Sequence, residues 1–105
     1  MVKYKKFESD SMVGLIVSGH ASEYTEHHGN NIVCAAVSTV CDMAAIGCGL
    51  YCNDIVIKSD NGYMSIISVN RPETIAIITA AMFDLDRIKD NYPYCFEGGN
   101  RVNEC

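Results

Sequence analysis

Positive charge is scarce in this chain: 8 Lys and Arg stand against 13 Asp and Glu over 105 residues, a net charge of −5. A pI near 4.9 follows. Such a surface repels phosphates, and the only basic cluster, Lys3, Lys5 and Lys6, is short and falls in a predicted strand. Direct binding to RNA or DNA is therefore not expected. The sequence has no internal repeat and no low-complexity tract, which argues against a repeat array and a disordered tail. The order of a secretory signal is absent too, because Glu8-Ser9-Asp10-Ser11 interrupts the basic start before any apolar stretch. Long hydrophobic runs are missing as well: stretches such as Ile75 to Phe83 fall far short of the ~20 residues that cross a bilayer. The expectation is a soluble cytoplasmic protein with no membrane partner.

Six cysteines are present, yet none forms a CxxC pair, the knuckle expected of a structural zinc site. Without a secretory signal, reduced thiols are expected rather than a disulfide scaffold. Cys34, Cys41 and Cys48 recur every seven residues, so on a helix rising ~1.5 Å per residue their alpha carbons lie about 10.5 Å apart. That spacing excludes one metal shared within the helix, and no metal or other cofactor is expected. Cys41 and Cys48 read as small core residues.

What remains is ordinary globular composition, 49% hydrophobic and 20% charged, enough for one modest core and a single domain over residues 1–105. Val2–Phe7 alternates loosely and Met12–Ser18 is rich in β-branched residues, with Glu8-Ser9-Asp10-Ser11 between them, which predicts a hairpin. Residues 22–30 are polar and aperiodic, an exposed loop. From about Asn31 to Gly47, Val33, Val37, Val40, Cys41, Ala44 and Cys48 recur at helical spacing, with Asn30 or Asn31 as N-cap and Gly47 and Gly49 as stops.

Residues 55–58 and 63–69 flank Ser59-Asp60-Asn61-Gly62, whose Asn-Gly pair predicts a second hairpin. Pro72 opens a second helix through Ile75, Ile78, Met82, Leu85 and Ile88, ending before Pro93, with Asp84 and Asp86 facing solvent. The order is ββαββα. Short connections favour an α+β, two-layer fold: one mainly antiparallel sheet with both helices packed on one face. Residues 94–105 are expected to add an edge strand or form a tail.

The chemistry concentrates near one point. Gly19-His20-Ala21 ends the second predicted strand, and Cys34 follows beside the start of the first helix. A thiolate, not a thiol, is the attacking species, and helix N-termini and neighbouring imidazolium groups are the local devices that favour thiolates. Amides of Cys34 and Ala35, in the first turn, are candidate donors to an oxyanion. Ser38 lies four residues beyond Cys34, on the same helix face, where its hydroxyl reaches either the nucleophile or the substrate, or bonds back to its own helix. His27 and His28 are rival bases, mid-loop.

Gly19-His20-Ala21 leading through Gly29 into Ile32-Val33-Cys34-Ala35-Ala36-Val37-Ser38 resembles the ribosomal-processing cysteine protease family (Prp or YsxB-like). The resemblance implies a Cys-His dyad with Cys34 as nucleophile and His20 as base. It also implies a homodimer and, as substrate, the N-terminal extension of large-subunit ribosomal protein twenty-seven. An acidic surface is compatible with such a basic partner. Asn31 stands where members usually carry an aspartate; an amide orients or caps but brings no charge to an imidazolium. Two other readings compete: a non-catalytic ribosome-associated binding module with an inert Cys34, and a cysteine-dependent redox or metal protein.

Overall fold

Two short hairpins separated by a long helix build the sheet. In the computed structural model the elements are β1 (Lys3–Glu8), β2 (Met12–Ser18), α1 (Asn30–Tyr51), β3 (Val56–Asp60), β4 (Tyr63–Val69) and α2 (Pro72–Asn91), followed by a 3-10 turn at Pro93–Cys95. The structure describes residues 1–19, 30–60 and 62–97. The strands form one antiparallel sheet in the order β1-β2-β4-β3. The α+β, two-layer ββαββα reading therefore holds.

Register explains which face is covered. Leu15 pairs with Lys6 on one side and Ile66 on the other, and Val13, Leu15, Val17 and Ile66 are all buried. Because strand residues two apart share a face, this set forms the floor on which the helices lie. From α1, Val33, Val37, Cys41, Ala44 and Cys48 point into the core, and from α2, Ile78, Ala81 and Leu85. Strand β1 is tied to α2 by polar contacts on the same face: the Tyr4 hydroxyl donates to Asp86 and Lys6 Nζ to Thr79 Oγ1 at 3.2 Å. Asp84 and Asp86 are exposed as the helical pattern predicts.

Two boundaries differ from the sequence expectation. The helix expected to stop at Gly47 runs four residues further, and both glycines lie inside it. A Cβ on Gly47 would meet Ile77 Cγ2 at 3.1 Å, so this glycine lets α2 approach closely. Tertiary packing there outweighs the roughly 0.5–1 kcal/mol that a mid-helix glycine costs. Measured over Ile32–Tyr51, α1 also has a mean hydropathy of 1.8, long and apolar enough by composition to cross a membrane. Counting uninterrupted runs overlooked this, because Ser38, Thr39 and Asp42 break up its small apolar residues.

Residues 95–97 fold back onto Val2. The Val2 amide donates to Cys95 O and the Glu97 amide to Val2 O, both at 2.8 Å, giving a one-residue parallel bridge between Val2 and Phe96 rather than a full edge strand. Phe96 is fully buried and meets Tyr4 edge-on at 5.8 Å. Residues 98–105 of the predicted tail lie outside the described residues.

Candidate active site

A cleft of about 180 Å³ opens between the first half of α1 and the β3–β4 hairpin. Cys34, Ser38 and Asp42 form its helical wall, at steps of four along one face. Ser59, Asp60, Gly62 and Tyr63 form the opposite wall, over an apolar floor that includes Val2, Val17 and Met64. Gly19 lines the cleft at the point where β2 ends. Its φ of +92° lies in the region that side chains avoid. Its amide donates to Gly62 O at 2.8 Å, tying the exit of β2 to the turn of the second hairpin. Gly62 itself has φ +77°, as a tight Asn-Gly turn requires.

Cys34 is half-buried, so its sulfur is reachable from the cleft yet anchored on the core. The other described thiols differ. Burial, with help from the adjacent Asp42 carboxylate, pushes the Cys41 thiol up to about 11. Burial also raises Cys48, against a partly opposing hydrogen bond from Ser68. Cys95, beneath the cleft next to Val2, is pushed up by burial first and then by the nearby sulfur of Cys34. Cys52 goes the other way, pulled below the ordinary thiol range chiefly by a backbone hydrogen bond at Val69. It lies just past the far end of α1 and is buried. The expected core roles of Cys41 and Cys48 agree with their burial.

The predicted site residues divide. Cys34 and Ser38 line the cleft together. Ala35 is exposed and lies outside that lining. Because α1 already begins at Asn30, Cys34 sits one turn inside the helix rather than within its first turn. Its amide is then engaged by the carbonyl four residues back. The expectation of free amides at Cys34 and Ala35 therefore fails for a simple reason: the helix starts earlier than the Asn31 boundary assumed. Asn31 lies in the first turn of α1, but its side chain is outside the described part, as are His20, His27 and His28 in full. Among the described residues no three His, Cys, Asp or Glu side chains gather into a metal site.

Sequence reasoning missed Asp42, Asp60 and Tyr63 as cleft residues. Asp42 was within reach, being two steps of four beyond Cys34. Asp60 and Tyr63 were not, since their position depends on β4 pairing with β2 rather than on any local pattern.

Known proteins supply the context. Among solved structures, the ribosomal processing protease Prp from S. aureus with a covalently linked product peptide superposes with a TM-score of 0.74 at 24% identity, covering 92% of this chain and 96% of that one. The same S. aureus protease with a substrate peptide gives 0.71 at 22% identity, with 92% and 96% covered. SMU.848 from Streptococcus mutans gives 0.69 at 20% identity, with 92% and 90% covered. These likenesses establish a shared fold. No curated protein sequence matches significantly. The family model for the cysteine protease Prp matches residues 1–97, a span that contains every described element, the cleft and Cys34, and so this chain belongs to the cysteine protease Prp family and is a hydrolase of that kind.

Proposed function

We propose that this protein is a cytoplasmic endopeptidase that removes the N-terminal extension of large-subunit ribosomal protein twenty-seven, with Cys34 as nucleophile and His20 as base. The observation that carries this reading is the convergence at one cleft of the half-buried Cys34 and of Gly19, which follows β2 and immediately precedes His20. The imidazole takes the thiol proton and the thiolate attacks the peptide carbonyl. The imidazolium protonates the leaving amine as the C–N bond breaks. Water then hydrolyses the thioester and restores the thiol. Ser38, on the cleft wall four residues from Cys34, donates its hydroxyl to the substrate or the developing oxyanion. A peptide-binding cleft agrees with the S. aureus structures that hold a product and a substrate peptide.

The homodimer reading has its own support. Ile32, Met43, Ile46 and Leu50 make an exposed apolar ridge on α1, Leu50 being 77% exposed, and Phe83 of α2 is exposed too. Exposed apolar surface of this extent marks an interaction face, and a second copy of the chain is its proposed occupant.

The test of the reaction is cleavage of the precursor ribosomal protein by the purified chain, with fragments read by mass spectrometry. Cys34→Ala and His20→Ala are expected to fold and not cleave. Undiminished cleavage by folded Cys34→Ala would remove the assignment. Iodoacetamide labelling near neutral pH separates the enzyme from an inert binding module: rapid, selective modification of Cys34 is expected of the enzyme.

A further inference from the structure

Strand β3 lies at the edge of the sheet, and all five of its residues are exposed. Successive strand residues face opposite sides, so Val56 at 47% and Ile57 at 46% exposure leave apolar surface on both faces. Ile57 shares the helix-covered face with its partner Ile66, which is fully buried. The helical layer thus ends over β4, and β3 projects beyond it as a shelf. Among the described residues, no segment pairs with the outer side of residues 56–59.

Proteins guard open sheet edges with charge, proline or bulges. The opposite edge, β1, follows that rule: Lys3, Lys5, Lys6 and Glu8 are four of its six residues, and a bridge from Val2 to Phe96 lies at its start. Strand β3 has no proline, and its five consecutive pairs with β4 leave no room for a bulge. Lys58 is its only basic residue. Its last two residues, Ser59 and Asp60, line the cleft that holds Cys34. A lightly guarded edge that runs into a thiol-bearing cleft is a template for an extended chain.

We infer that the peptide substrate docks as a fifth strand on the outer edge of β3 and crosses from there, over the end of the hairpin, to Cys34. The inference rests on the protease reading for what happens at Cys34, and adds how the substrate is held. Main-chain N–H and C=O groups make the pairing, so it takes many sequences in extended form, and alternate side chains rest beside Ile57 on one face and Val56 on the other. An added strand lies three strand spacings from β2, about 14 Å at roughly 4.8 Å each. Val17 of β2 lines the cleft together with Cys34. At ~3.3 Å per residue, the paired segment therefore begins about four residues from the scissile bond.

The experiment uses labelled peptides spanning the precursor's cleavage point, each N-methylated at one backbone amide. Binding to Cys34→Ala is measured by fluorescence anisotropy, and kcat/KM with the unmodified enzyme. Only every second amide of an added strand faces its neighbour. Affinity is therefore expected to fall at alternate positions, about three- to tenfold for each main-chain hydrogen bond lost, and to stay within about twofold between them. The side of the scissile bond on which this pattern falls gives the direction: C-terminal for a strand antiparallel to β3, N-terminal for a parallel one. Hydrogen exchange followed by NMR is expected to show residues 56–60 gaining protection when peptide is bound, with β1 unchanged. A flat N-methyl profile overturns the docking, as does an alternating profile without protection at β3. Protection of β3 that is already present in the free protein and lost on dilution assigns the edge to a second copy, and overturns it too. Binding with the alternating profile but without cleavage sinks the protease reading alone; cleavage with a flat profile sinks the docking alone. Neither binding nor cleavage overturns both.

Discussion

Replacing Gly19 by alanine tests how the cleft is assembled. A Cβ at this position would lie 1.9 Å from Met1 O and 2.9 Å from Met1 C, both backbone atoms that no rotamer change can remove. The N-terminal segment is in turn held by the Val2 and Glu97 amide hydrogen bonds, each 2.8 Å. Relieving the clash therefore means breaking those bonds or the Gly19 to Gly62 bond. Losing one or two such bonds costs about 1–2 kcal/mol, partial exposure of Val2 about 1 kcal/mol, and holding an L-residue at positive φ about 1–2 kcal/mol. The sum, about 3–5 kcal/mol, is a large share of the ~5–15 kcal/mol that holds a domain together.

At ~4–8 °C per kcal/mol for a domain near this size, Tm is expected to fall by about 15 °C or more in a thermal scan followed by circular dichroism. The same displacement re-aims the chain that leaves β2 toward His20. Geometric errors of about 1 Å cost on the order of a hundredfold in rate, so kcat/KM measured well below the lowered Tm is expected to drop at least tenfold. Gly49→Ala is the matched control: its Cβ meets nothing within 4 Å, and it is expected to stabilise by about 0.5–1 kcal/mol with activity unchanged. A Gly19→Ala protein melting within 2 °C of the parent and cleaving equally fast would refute the argument. A lowered Tm with intact cleavage in the cold would refute its functional half.

Thr74 is fully buried at the start of α2, where its hydroxyl donates to Val69 O at 2.6 Å and accepts from the Arg71 amide at 3.0 Å. Thr74→Val keeps the volume, removes both bonds and leaves the part-buried Arg71 amide without its side-chain acceptor, so chemical denaturation is expected to show a loss of about 1–3 kcal/mol. The Cys41 thiol, at 9 when unfolded and about 11 when folded, contributes stability that is present below pH 9 and lost as pH rises through 11. Relative to Cys41→Ala, the parent is expected to lose up to about 2–3 kcal/mol over that window at ~1.4 kcal/mol per pH unit; parallel stability–pH curves would contradict this. For the α1 ridge, sedimentation is expected to show two copies of the 11.5 kDa chain in the parent and one in Met43→Lys/Leu50→Lys. A dimer that persists in the double variant would place the interface elsewhere.

Local signals were enough for most of the architecture, because hairpins and amphipathic helices announce themselves over a few residues. Asn61-Gly62 between two β-branched runs and Pro72 before a regular apolar stripe are patterns whose physical cause is contained in the segment itself. The errors arose where a distant element decides. Gly47 reads as a helix stop until Ile77 of α2 is seen to occupy the space a side chain would fill, and the choice between edge strand and tail at Phe96 is settled only when Val2 is seen to pair with it.

The site divides along the same line. Cys34 and Ser38 were legible from their four-residue spacing, and Asp42 continues that spacing by one more step. Asp60 enters only because β4 inserts between β2 and β3, carrying the hairpin that β3 shares with it to a position facing α1. A nucleophile can be read from a motif, since its neighbours in sequence supply its surroundings. A facing wall cannot, since it is made by whichever strand the sheet order brings opposite. The charge of the far wall, Asp60 rather than the Lys58 two residues earlier on the same strand, is thus a property of register.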